Sequence, residues 1–212
     1  VNAALSYAVF VGAALGLIFS VIAGFRVVAG IGRRRRNAVM RAFAQKRGLR
    51  CEANDAALAT LLALFPWIPD ASPGVEHVVR WDDFTLVVYT FQDEGPTTWK
   101  MLFADAGAFR LPSFSIRGGS WLDEALSPDI DFLDDPVFSK GFVLEGSDEA
   151  AVRALFTPGV RAEFLNDEHS SNIHCIDSKL LFIHGDLTNV SDLESFVDES
   201  LRIYRRFAVA GR

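Results

Sequence analysis

An uncharged run from Val1 to Phe25, followed by four consecutive arginines at positions 33–36, constrains this chain more than any other feature. A hydrocarbon core of about 30 Å needs roughly 20 apolar residues in a helix. The stretch Ala4–Ala29 has that length and is broken only by Arg26, which can snorkel from one end. Tyr7 suits the outer interface, and Arg26 with Arg33–Arg36 suits the inner one by the positive-inside rule. A cleaved signal peptide would carry its basic residues before the apolar run, whereas here they follow it. The expectation is a single-pass anchor in the inner (cytoplasmic) membrane, N-out and C-in, in contact with the bilayer through residues 4–29. Small residues recur at Ala8, Gly12, Gly16, Ser20 and Gly24. Such a stripe allows close helix–helix approach, so it is the expected surface for a homo-oligomer.

The expected organisation is an anchor (1–32), a basic juxtamembrane helix (33–48) and a cytoplasmic α+β domain (49–212). Five of the 21 basic residues and none of the 27 acids fall in the first 36 positions. Residues 37–212 therefore hold 16 basic and 27 acidic groups, a net charge of −11. A surface of that sign argues against nucleic acid as a partner. Cys51 and Cys175 lack any metal-like spacing and read as free, buried thiols in a reducing compartment.

Residues Arg33–Arg47 read as a helix with Val39, Met40 and Phe43 on one face, stopped by Gly48. Asn54 is placed to cap a short helix over Asp55–Leu64 that carries Leu58, Leu61 and Leu62 and ends at Pro66. From Val75 the period changes. Val75–Trp81, Phe84–Phe91 and Thr98–Ala104 are β-branched and aromatic, separated by turn residues, which predicts an antiparallel meander. The second strand is apolar on both faces, hence central and doubly covered. Phe109–Ile116 reads as a strand, Arg117–Lys140 as loop and Gly141–Glu145 as a short strand. Ser147 is expected to cap a helix, and Thr157-Pro158 to restart one. A hairpin follows around Asp177–Lys179. Ser191 and Glu194 form a capping box for a long helix to about Val209, with Leu193, Val197, Leu201, Tyr204 and Ala208 on its face. The expected fold is a curved antiparallel sheet of six or seven strands with helices on one face and a long C-terminal helix.

The segment Pro136-Val137-Phe138-Ser139-Lys140-Gly141-Phe142, running on through Gly146-Ser147-Asp148-Glu149 to Val152-Arg153-Ala154-Leu155-Phe156, carries a resemblance. With Leu111-Pro112-Ser113-Phe114 and Asp129-Ile130-Asp131-Phe132 upstream, it resembles a group of bacterial single-pass membrane proteins of unassigned activity. These share a P-x-F-S…G-x-D-E…V-R-x-L-F stretch after an N-terminal anchor. Where those proteins tend to carry a Phe-Asp-Tyr-like strand, this chain has Trp81-Asp82-Asp83-Phe84. The resemblance implies the anchor-plus-domain plan and no catalytic residue. Phe138 and Phe142 are expected to be core anchors.

Candidate chemistry is sparse. His169, His174, Asp177, His184 and Asp186 form the densest polar group, and His174 and His184 could lie diagonally on one face of the hairpin. No HxH or HExxH spacing supports a metal there. Asp129, Asp131, Asp134 and Asp135 fail the calcium-loop frame, because Asp134 and Lys140 stand where Gly and Glu are needed. Gly118-Gly119-Ser120 is not a nucleophile elbow. Trp81, Trp99 and Trp121 are read as core or half-buried residues rather than as a ligand cage. No catalytic, cofactor-binding or metal-ligating residue is assigned, and no cofactor is expected. The reading is a membrane-tethered interaction or scaffold domain with an unidentified protein partner. The alternatives are a lipid or small hydrophobic ligand in a domain pocket, and a divergent enzyme without recognisable motif.

Overall fold

The computed structural model describes residues 34–52, 75–92, 96–107, 109–119, 129–166, 172–185 and 189–211. It also describes 20, 30–32 and the single positions 58, 62, 64, 65 and 68. Two compact units are present, Val1–Val39 and Met40–Arg212.

Among the described residues no helix is long and apolar enough to cross a membrane. This overturns the single-pass anchor, its N-out, C-in orientation and the inner-membrane location. The expectation rested on hydropathy and charge order over residues 4–29, which apart from Ser20 lie outside the described residues. The first described helix of any length, α1 (residues 34–46), is basic and polar over much of its surface. Apart from Ser20, the stripe Ala8, Gly12, Gly16 and Gly24 lies outside the described residues.

α1 stops at Gly48, as its sequence requires. Gly48 has φ +67°, and the amides of Gly48 and Leu49 donate to the carbonyls of Gln45 (3.2 Å) and Ala44 (2.8 Å). That pair of bonds closes a Schellman motif, for which glycine carries no Cβ penalty. Within the second unit, the end of α1 is fastened by Lys46 to Glu194 and by Arg47 to Asp198.

Among the described residues the sheet has eight strands, all antiparallel: β1 (Cys51–Glu52), β2 (Val75–Trp81), β3 (Phe84–Gln92), β4 (Pro96–Asp105), β5 (Phe114–Gly118), β6 (Phe142–Gly146), β7 (Asn172–Ile176) and β8 (Lys179–His184). Their order is β1-β2-β3-β4-β8-β7-β5-β6. The β2–β3–β4 meander is present as expected, and Leu86, Val87 and Val88 of β3 are all fully buried. The sheet is thus covered on both faces rather than on one.

On one face Val78, Val87, Met101, Phe103, Leu181 and Ile183 pack under Leu58, Leu62, Phe65 and Ile68. Most of the helix expected over Asp55–Leu64, with its Asn54 cap, lies outside the described residues, although Leu58 and Leu62 are helical and buried. The other face carries α5 (Val190–Ala210), whose buried stripe is Leu193, Phe196, Val197, Ser200, Ile203 and Phe207. That stripe is rotated from the expected one: Leu201, Tyr204 and Ala208 flank it. Its N-cap is Asn189, whose side chain accepts from the Asp192 amide, in place of the Ser191 capping box.

Three short helices close the far end: α2 (Pro136–Gly141), α3 (Glu149–Leu155) and α4 (Pro158–Leu165). α2 falls where loop was expected. Asp135 caps it through the Phe138 amide, and Pro136 occupies the first turn, where a missing N–H is harmless. α3 is capped by Asp148, one residue beyond Ser147, and α4 by Thr157. Phe138 is fully buried and Phe142 nearly so, in a ring cluster with Phe132, Phe156 and Phe164. β6 lies at one rim of the sheet. Its outer side is occupied by the preceding loop: the Leu144 amide donates to the Asp129 carboxylate (2.6 Å), and the Ile130 amide to the Leu144 carbonyl (2.8 Å).

Candidate functional site

The opposite rim is built differently. The Schellman turn at Gly48 swings the chain through Leu49 and Arg50 directly into β1, which pairs only Cys51 with Val79 and Glu52 with Val78. So short a strand leaves a cleft of about 340 Å³ lined by Gly48, Leu49, Arg50, Glu52, Val78 and Arg80. Its floor is apolar. Val78 is 1% exposed and belongs to the cluster beneath Leu58, Leu62 and Phe65, while Leu49 is half-buried. Its rim is charged: Arg50 is exposed, and Arg80 meets Glu52 at 3.8 Å, the long limit of an ion pair between exposed groups. An apolar floor under a polar rim is the usual construction of a small-ligand site.

Strand alternation turns Cys51 to the other side of β1. There its Sγ lies 3.7 Å from Nδ1 of His77, which is buried. Burial pushes the thiol upward from its ordinary value; Arg41 opposes this and Glu52 adds to it. A thiol held above its ordinary value is less readily ionised to the reactive thiolate. Cys175 is buried and pushed up to about 12 by desolvation. Neither thiol is in a disulfide; Cys175 is buried as expected, whereas Cys51 is only half-buried. Among the described residues no group of three or more His, Cys, Asp or Glu side chains could hold a metal ion.

The expected polar cluster does not assemble. His174 pairs with Leu181 and Cys175 with Leu180, which sets the register of the β7–β8 hairpin. In that register His174 shares a face with Leu181 and Ile183, whereas His184 shares the α5 face with Phe182. The two histidines lie on opposite sides of the sheet, because the two-residue turn at Asp177-Ser178, both with positive φ, fixes the pairing parity. His169 and Asp186 lie outside the described residues. Trp81 stacks on Phe84 at 5.7 Å on the α5 side, Trp99 packs against the cluster on the other side, and Trp121 is outside the description. Gly118 ends β5, the Gly119 amide donates to Gly141, and Ser120 is not described.

The aspartate-rich loop proves to be a fastening. Arg161, with its side chain 5% exposed, donates to Asp134 (2.7 Å), to Asp135 (2.9 Å) and to the Phe156 carbonyl, and its guanidinium lies 4.3 Å from the centre of the Phe132 ring. Arg153 bonds Glu149 and the Asp131 carbonyl, and the Phe132 amide donates to Ser139 Oγ. The loop in the stretch from Asp129 to Phe156 is thus fastened from within by Arg153 and Ser139 and from α4 by Arg161.

Desolvation lowers the His174 pKa to about 4, against 6.5 for an ordinary histidine. Between those values the unfolded chain takes up a proton that the folded one refuses, so stability is whole above pH 6.5 and falls toward pH 4. The loss should be about 1–2 kcal/mol, since one pH unit is worth at most about 1.4 and the ring is partly exposed. Asp129 acts in the opposite sense: burial first, then Asp131, raise its carboxyl, and protonation on acidification favours the fold. Urea midpoints of His174→Gln should therefore vary less from pH 6.5 to 4 than wild type, and those of Asp129→Asn more. An unchanged slope in His174→Gln would contradict the assignment.

Sequence reasoning missed two features. The cleft has no local signature, because its lining residues from Gly48 to Glu52 and from Val78 to Arg80 come together only through β1–β2 pairing. Lys100 reads as an ordinary strand lysine, yet its side chain is fully buried on β4 beneath α5, 3.3 Å from Asp192. The ammonium lies 5.9 Å from the centre of the Phe196 ring, which also stacks with His184.

In class, the molecule is an α+β domain with an eight-stranded antiparallel sheet closed by a long C-terminal helix. That fold is shared, with a TM-score of 0.54, by the crystal structure of the mycobacterial trehalose monomycolate transport factor A, TtfA. The match covers 85% of this chain and 94% of that one at 13% identity. No family model and no curated protein matches the sequence.

Proposed function

We propose that this chain binds an amphiphile, a lipid or another small hydrophobic ligand, in the cleft beside Leu49 and Val78. The observation that carries the reading is the cleft itself, whose floor continues into the buried cluster while its rim is charged. The fold adds support, since its structural neighbour is named for trehalose monomycolate transport. The structural neighbour favours this alternative over the tethered scaffold expected from the sequence. Native mass spectrometry of the full chain should retain an extractable hydrophobic adduct. Leu49→Asp, a change at a half-buried position, should lose that adduct while keeping the wild-type melting profile to within a few degrees. Extracted protein that rebinds no alkyl-chain amphiphile would overturn the reading.

A further inference from the structure

The cleft at the β1 rim is small for a lipid site. Its volume of about 340 Å³ lies near the lower end of the roughly 300–1,000 Å³ typical of small-molecule pockets. A water molecule occupies about 30 Å³ of liquid and a methylene is of similar size, so the cleft has room for about eleven chain carbons. Its lining is not free to widen. Gly48 sits in the hydrogen-bonded turn that ends α1, and Glu52 is paired with Val78. Val78 is itself paired with Val87 and packed into the buried cluster. A bilayer lipid carries two chains, each long enough to cross half of a hydrocarbon core about 30 Å thick, which is roughly two dozen carbons or more. That is at least about twice what the cleft can take.

From this we infer that the ligand of the cleft is a single-chain amphiphile of medium length, its chain laid along Leu49 and Val78, and that a diacyl lipid is excluded by size. The inference rests on the amphiphile reading above and adds a limit to it. Each methylene that leaves water for the cleft raises affinity, by about fourfold when its burial is complete. A carbon beyond the limit stays in water before and after binding, and adds nothing. Arg50, Glu52 and Arg80 are exposed at the rim, so the head group stays at the mouth and chain length is the property selected.

The test uses the full chain and a series of alkyl maltosides from octyl to tetradecyl, each below its micelle concentration, followed by titration calorimetry. Affinity should rise about two- to fourfold per carbon up to about eleven carbons and then level off, so that dodecyl and tetradecyl maltoside bind alike. Leu49→Trp takes room from the cleft and should move the break to a shorter chain. Dioctanoylglycerol should bind no tighter than monooctanoylglycerol, because its second chain finds no space. Affinity that still climbs from dodecyl to tetradecyl, or a tenfold gain from the second octanoyl chain, would overturn the size limit while leaving the amphiphile reading intact. A break unmoved in Leu49→Trp would put the limit outside the cleft and overturn the inference as well. Failure of every maltoside to bind, or an affinity indifferent to chain length throughout, would overturn the amphiphile reading and this inference together.

Discussion

Alanine in place of Phe138 is expected to cost about 3–5 kcal/mol, the range for emptying a large aromatic from a closed core. Phe138 is fully buried and its ring sits 5.2 to 6.1 Å from those of Phe132, Phe142, Phe156 and Phe164. Those rings come from the aspartate loop, β6, the residue after α3, and α4, so a cavity there loosens several elements at once. Domains of this size are stable by about 5–15 kcal/mol, so the variant should melt far below wild type or aggregate. Val137→Ala, one residue away and 67% exposed, should stay within about 0.5 kcal/mol. A Phe138→Ala melting curve close to wild type would refute the core role.

The second large effect concerns the lysine under α5. Removing Asp192 leaves a buried ammonium without its carboxylate, and breaking such a pair on one side costs about 3–5 kcal/mol. Asp192 is 24% exposed, so the lower end is expected for Asp192→Ala. Lys100→Met removes the charge and keeps the length, and should lie within about 1 kcal/mol of wild type. The double variant should recover most of what Asp192→Ala loses. If Asp192 acted only as a first-turn acid on the helix dipole, its loss would cost about 1 kcal/mol or less and Lys100→Met would restore nothing. Chemical denaturation of the four proteins separates the two accounts.

Legibility followed locality. The meander was readable because Val75–Trp81 and Phe84–Gln92 alternate around Asp82-Asp83, and a turn with Asp82 at φ 45° fixes its own register. The face of α5 was misplaced because Ser200 interrupts the apolar pattern. Its hydroxyl donates to the Phe196 carbonyl one turn back, so the group is satisfied within the helix and can lie in the core. α2 was hidden because Asp134-Asp135-Pro136 reads as turn chemistry, while the arginine that neutralises that pair stands 26 and 27 residues away. The cleft was invisible for the same reason: its two lining segments come together only after β1 and β2 have paired.

The two rims of the sheet differ in what they permit. At β6 the Asp129 side chain and the Ile130 amide occupy the backbone groups of Leu144 that another strand would use. At the other rim β1 engages only Val78 and Val79, and among the described residues no further strand lies on β2. Open-ended β-polymers grow because each subunit offers two complementary free edges. The aspartate that looked like a fragment of a calcium loop thus closes the β6 rim to strand addition at Leu144.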